Sequence, residues 1–307
     1  MDNMIDNKTN FQLIATKNKT KTWSIIIFFS SIIIFIGYVI SSYAGNPIFL
    51  NGSILFSLIS IWVSYFKSDK LALKSSGSKP IDKNSIEGQR LKKIVSKLAK
   101  LMKIPEPKLY IMKEEAINAF ATGRSPKHAS VSVTTGALEK LNDNELEGVL
   151  AHELTHIKNH DILVMSVVAS LAGILIGFLH IFQYQSQFNQ SKRGNPIQGV
   201  LVLVGILIAP IVANLIKASV SRKREYMADM GSAISTQKPE YLASALEKIK
   251  LYSRPMIRKN LNTSHLFIAS PYRADIAGVN LSFLDNLFAD HPPLDERIRI
   301  LRQGIKK

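Results

Sequence analysis

The sequence predicts a mainly α membrane protein, with four transmembrane helices carrying an α+β domain with a small β-sheet on the cytoplasmic side. Three observations lead there. Mean hydropathy is positive (+0.09) although the 307 residues carry a net charge of +16, which requires apolar and charged residues to be segregated along the chain. They are segregated: residues 22–66, 162–191 and 194–216 contain no Asp, Glu, Lys or Arg. Between and after these stretches, apolar residues recur with helical or alternating spacing, as in a folded domain.

About 20 apolar residues are needed to cross a bilayer as a helix. Trp23–Ala44, Ile48–Phe66, Ile162–Phe182 and Ile197–Ile216 meet that length. The first follows Lys17, Lys19 and Lys21 and ends in "SYAG", a small-residue pattern that a signal peptidase would favour. Its apolar core is too long for a signal peptide and a second span follows at once, so it reads as retained. Lysines flank the first pair of spans on one side (Lys8, Lys17, Lys19 and Lys21 before, Lys67, Lys70, Lys74, Lys79 and Lys83 after), while the "GNP" turn between them is uncharged. Lys158 precedes the third span and Lys217, Arg222, Lys223 and Arg224 follow the fourth, against Lys192 and Arg193 in the loop between. The positive-inside rule then places both termini and residues 67–161 in the cytoplasm. The basic fringe is expected to lie against anionic headgroups, making the lipid bilayer a partner. Nucleic acid is not an expected partner, because no recognition motif accompanies the charge. Cysteine is absent, which excludes disulfides, thiolate metal clusters and a cysteine nucleophile.

The expected organisation is an N-terminal tail with two membrane helices (1–66), a first cytoplasmic part (67–161), the second helix pair (162–217) and a second cytoplasmic part (218–307). "SDKLALKSSGSKP" reads as a polar linker. Residues 84–102 place Ile86, Leu91, Ile94, Val95, Leu98 and Leu101 at helical spacing. "PEPKLYIM" ends in a strand-like run, and Ile117–Gly123 and Ala129–Leu138 read as two strands joined by "RSPKH". Asn142 or Asp143 suits the cap of the next helix, with Glu145 and Glu147 in its first turn. That helix is expected to run on into the third span. Gly173 and Gly177 offer a close-packing pair there, although glycine is common in membrane helices.

The capped helix carries "VLAHELTHIKNHD". His152 and His156 lie one turn apart and can point two imidazoles at one ion, while Glu153, about 100° round, can reach a water held there. This is the HExxH pattern of metallopeptidases. His160 is eight residues from His152, about 12 Å along a helix, too far for a shared ion with bonds near 2.1 Å. Asn159 and Ile162 stand where a metzincin would have Gly and His, so the third ligand must come from elsewhere. A hairpin of two spans returns the chain to the side it left, bringing Glu225 and, one turn on, Asp229 beside His156. Glu225 suits a His₂Glu zinc site, and Asp229 suits a carboxylate orienting a liganding histidine. On these residues alone an Arg–Glu ladder with Arg222 and Arg224 is the stronger alternative.

"NAFATG", "HELTHIKNHD", "SRKREYMAD" and "HPPLDERI", in this order and with the two hydrophobic pairs, resemble the HtpX family of bacterial membrane zinc metalloproteases, shorter relatives of the CAAX prenyl proteases. The resemblance implies a zincin-like metalloprotease domain, one Zn²⁺ per chain held by His152, His156 and Glu225, and Glu153 as the catalytic carboxylate. It also implies that the substrates are membrane proteins or unfolded polypeptides, cut from the cytoplasmic side of the bacterial inner membrane. Asn118, Ala119, Phe120 and Ala121 resemble the edge strand that pairs with extended substrate. His291 is a candidate for stabilising the oxyanion, with Arg297 close by in sequence. A non-catalytic membrane scaffold, or a zinc hydrolase of a non-peptide substrate, are the competing classes.

Overall fold

The computed structural model describes residues 2–188, 221–252, 256, 266–269 and 292–303. The fourth expected span, Ile197–Ile216, and His291 lie outside them, as do most of residues 253–291.

The chain opens with α1 (Asp2–Ala44), which turns at Gly45 and Pro47 into α2 (Ile48–Phe66). Gly45 takes φ +60°, a conformation that costs glycine nothing. The apolar part of α1 begins earlier than read from sequence, at Thr16, and with α2 makes two helices long and apolar enough to span a membrane. Their polarity is inverted relative to a soluble helix. On α2 the buried residues are Ser57, Ser60 and Ser64, while Ile54, Leu55, Leu58, Ile59 and Trp62 are exposed. Such a surface is stable only where the solvent is hydrocarbon, which makes this an integral membrane protein. At Gly37 the hairpin is so close that a Cβ would stand 2.0 Å from Ser53 Oγ.

The segment read as a linker is ordered: α3 (Ser68–Ser75) buries Ala72 and Leu73, and β1 (Lys79–Pro80) begins the sheet. Short apolar patches inside a lysine-rich stretch were enough for a helix because a core was waiting for them. Next, α4 (Ile86–Met102) is capped by the Ser85 side chain and buries Leu91, Ile94, Val95 and Leu98, but Ile86 and Leu101 face outward. The strands β2 (Lys108–Met112), β3 (Ala119–Gly123) and β4 (Ala129–Thr134) complete a mixed sheet in the order β1-β2-β4-β3. The β3–β4 hairpin is antiparallel, whereas β2 runs parallel to β4. The strand expected to reach Leu138 stops at Thr134, because the Thr134 hydroxyl caps α5 (Thr135–Lys140).

In α6 (Asp143–Lys158) the cap is a full capping box, Asn142 with Glu145. It does not run into the third span. The chain breaks at Asn159–His160, with His160 at φ +60°, and α7 (Asp161–Phe188) leaves at 85°. The start of α7 packs Leu163, Val164, Val167, Val168 and Leu171 against Ile25, Ile26, Phe29 and Ile33 of α1. Among the described residues three further helices follow, α8 (Arg222–Thr236), α9 (Pro239–Leu251) and α10 (Leu294–Gln303); α8 and α9 pack on α6, and α10 packs on α8 and α9. Two glycines set their approach. A Cβ on Gly231 of α8 would meet Thr155 Cγ2 at 2.4 Å, and one on Gly148 of α6 would meet the backbone of Leu242 at 2.5 Å.

Candidate metal centre

The α6 helix is buried along nearly its whole length, so its polar residues cannot rely on water for partners. His152 and His156 sit one turn apart with Nε2 atoms 3.2 Å from each other. The first turn of α8 brings Glu225 against both, with Oε2 at 3.7 Å from His152 Nε2 and Oε1 at 3.6 Å from His156 Nε2. All three side chains are buried.

Each imidazole is turned by a carboxylate behind it. His152 Nδ1 lies 2.9 Å from Asp229 Oδ1, and His156 Nδ1 lies 3.0 Å from Asp161 Oδ2. An ionised carboxylate only accepts, so each Nδ1 carries a proton, and as neutral imidazoles both rings present Nε2 lone pairs. Two bare nitrogens and a carboxylate facing one point require a cation there. A tetrahedral ion with bonds of about 2.1 Å needs its ligand atoms about 3.4 Å apart. The three separations bracket that value, so the set can hold a metal ion.

Proton affinities reflect the same crowding. For His152, burial outweighs the Asp229 contacts and lowers its pKa to about 4. For His156, burial also opposes charge, but the Asp161 hydrogen bond with the charges of Glu225, Asp161 and Glu153 outweighs it and raises the pKa to about 9. A lone proton would therefore rest on His156, in the place where a metal belongs. Asp229 is held down at about 2: burial is overcome by the Arg297 guanidinium and by His152.

Arg297 is fully buried and forks onto Asp229, with Nη2 at 2.7 Å from Oδ1 and Nε at 2.9 Å from Oδ2. Its Nη1 donates to Ile268 O at 3.1 Å. Glu153 is buried beside His152, close enough for its charge to act on His156 and Arg297.

Comparison with known proteins gives this geometry a lineage. The family model described as Peptidase family M48 matches residues 85–305. A protein named Protease HtpX homolog from Caldanaerobacter subterraneus subsp. tengcongensis is 39% identical, covering 96% of this chain and 98% of its own. The same name belongs to relatives from Thermoanaerobacter pseudethanolicus (42% identical, 96% and 98% covered) and Campylobacter concisus (44%, 80% and 84%). The chain belongs to the HtpX family of M48 peptidases. A solved structure, S. mikatae Ste24p, aligns over 98% of this chain and 67% of that one, at 18% identity and a TM-score of 0.47.

In this HtpX-family metalloprotease the helix pair around the HExxH motif thus brings together His152, His156, Glu225 and Asp229. His160 stands apart from the cluster, but not for the reason that a straight helix suggests: the helix ends before it, and its half-buried ring sits at the corner. Arg297 is turned to Asp229 and to the Nδ1 edge of His152. It lies behind His152, on Asp229. Asn118, Ala119, Phe120 and Ala121 do fall at the outer strand of the sheet, yet that edge is covered by the chain itself. Ile268 N donates to Ala119 O at 3.1 Å, Asn118 Nδ2 donates to Ala269 O at 3.0 Å, and Phe120 packs edge-to-face on Phe267.

From the sequence Arg297 stands out only as a neighbour of His291, and Asn18 not at all, although each left a signal. On α10, Leu294, Arg297, Ile298 and Leu301 share one helical face, and a cation on an apolar face marks a buried partner. On α1, Asn18 continues the stripe of Thr22, Ile25, Ile26, Phe29 and Ile33 that faces the protein, but the flanking lysines make it look like a solvated tail.

Proposed function

We propose that the protein is a zinc-dependent endopeptidase of the bacterial inner membrane that hydrolyses misfolded or misassembled membrane proteins at the cytoplasmic face, in quality control and the response to stress. The observation that carries this reading is the trio of His152 Nε2, His156 Nε2 and a Glu225 carboxylate converging on one point next to buried Glu153.

His152, His156 and Glu225 would hold the ion, leaving a fourth position for water. Zinc in such a site lowers the pKa of its water and polarises the scissile carbonyl. The side chains do the rest. Glu153 accepts a proton from the attacking water and returns it to the leaving amine. Asp229 and Asp161 hold the two imidazoles in the Nδ1–H tautomer that frees Nε2 for the metal. Backbone pairing of substrate with Asn118–Ala121 requires Leu266–Ala269 to release the Ile268–Ala119 hydrogen bond first. His291 is the proposed oxyanion partner.

Four spans, with the second pair formed by Ile162–Phe182 and Ile197–Ile216, follow from the apolar stretches, and the basic residues flanking them support cytoplasmic termini and a cytoplasmic active site. The site would then lie close to the membrane surface, because α7 begins five residues after His156 and packs on α1. Metal analysis of the detergent-purified protein beside casein cleavage with and without chelator tests the reading. One zinc per chain and chelator-sensitive cleavage are expected, with Glu153→Gln keeping zinc and losing cleavage. Near wild-type turnover by Glu153→Gln would overturn it.

A further inference from the structure

We propose that Asn18, on the first membrane helix, is a positioning residue for the metal centre, acting on His156 through Asp161. The proposal rests on reading His152, His156 and Glu225 as metal ligands.

The Asn18 amide is buried and uses Nδ2 twice, donating to Asp161 Oδ1 at 2.9 Å and to Asn159 O at 3.0 Å. The first bond completes a relay. Asp161 receives His156 Nδ1 on Oδ2 and Asn18 on Oδ1, so both ends of the carboxylate are tied and its plane cannot rotate. Arg224 Nε stands 3.9 Å from Asp161 Oδ1, beyond hydrogen-bonding distance, and the charges of Arg224 and Lys21 also act on Asp161. Asn18 thus ties that oxygen from the membrane helix. The second bond pins the C-cap of α6 at the corner where the backbone turns through 85°. The corner decides where Asp161 stands relative to His156, so both bonds serve the same ligand.

The location of Asn18 is held in turn by packing. Thr22, Ile25, Ile26, Phe29 and Ile33 continue its stripe along α1, and the apolar members of that stripe lie against the start of α7. Asn18 lies within the apolar helix Thr16–Ala44 and outside the residues that the M48 family model matches. The peptidase domain alone therefore lacks one support of its own metal site. A membrane helix completes it, and displacement of that helix would loosen His156 without touching any ligand.

Full-length protein in detergent, titrated with zinc against a competing chelator, tests this. Asn18→Ala should weaken zinc binding about 10-fold, the lower end of the range for a residue behind a ligand. Asp161→Ala should do at least as much, and adding Asn18→Ala to it should change affinity by less than about twofold, because the two act in series. Ile26→Ala, which removes packing from the same helix contact but leaves both Asn18 hydrogen bonds in place, should lower thermal stability and weaken zinc binding by clearly less than Asn18→Ala does. The proposal is overturned if Asn18→Ala binds zinc like wild type, if its effect multiplies undiminished in the Asp161→Ala background, or if Ile26→Ala weakens zinc as much. Should wild type hold no zinc, the metal reading falls as well. If wild type binds zinc and Glu225→Gln loses it while Asn18→Ala retains it, this inference alone fails.

Discussion

The two histidines of the centre have the same immediate chemistry and different foundations. His152 leans on Asp229, and Asp229 on the fully buried guanidinium of Arg297, so this arm is an ion pair made within the peptidase domain by α6, α8 and α10. His156 leans on Asp161, whose nearest partner is the neutral amide of Asn18 on a membrane helix, with Arg224 standing off. One arm is held by a close, forked ion pair and the other by a neutral hydrogen bond and helix packing, with the charges of Arg224 and Lys21 acting on Asp161 without a fork of that kind. A metal site can thus be rigid on one side and dependent on the membrane segment on the other, although HExxH makes its histidines look equivalent.

The substitution with the largest expected effect breaks both arms at once. Glu225→Gln replaces the one ligand common to both, and most zinc and nearly all activity should go, since two histidines alone hold zinc weakly. Zinc content after dialysis measures it. Next, Arg297→Met leaves Asp229 buried without its counter-charge and should cost about 3–5 kcal/mol of folding stability, read by denaturant unfolding. Arg224→Met should cost a small fraction of that. Equal losses would mean that the arms are not different in kind. Asp229→Asn should lower zinc affinity by about 10–100-fold while leaving Glu225 in place.

The last effect concerns pH. In chelator-treated protein the pKa of His156 is raised from 6.5 to about 9, so the stability that it contributes is fully present below pH 6.5 and is lost as pH rises through about 9. His152, lowered to about 4, works the other way: its contribution is present above pH 6.5 and lost as pH falls toward about 4. Thermal midpoints of metal-free protein should therefore fall on the alkaline side. Loading zinc should remove that dependence, because the metal takes the proton's place. An alkaline slope that survives in His156→Ala would assign it to another group.

Local pattern carried much of this protein into view from sequence alone. The capping box at Asn142, the i, i+4 histidines and the charge-free stretches are properties of short windows, and helix geometry translates them directly into a capped helix, a two-pronged ligand and membrane spans. Glu225 does meet His156, but on the residues alone an Arg–Glu ladder is the stronger reading, and it is the family resemblance that implies Glu225 as a ligand. Tertiary structure decided what short windows do not contain. The corner at His160 sets α7 at 85° to the motif helix, so the helix does not run straight on as the sequence leads one to expect. The linker that became α3 was ordered by a core built from distant residues such as Phe120 and Met165. The supports of the two histidines come from positions 143 residues before Asp161 and 68 after Asp229. Each is a polar side chain on an otherwise apolar stripe, and which buried group such a residue answers depends on how the helices cross.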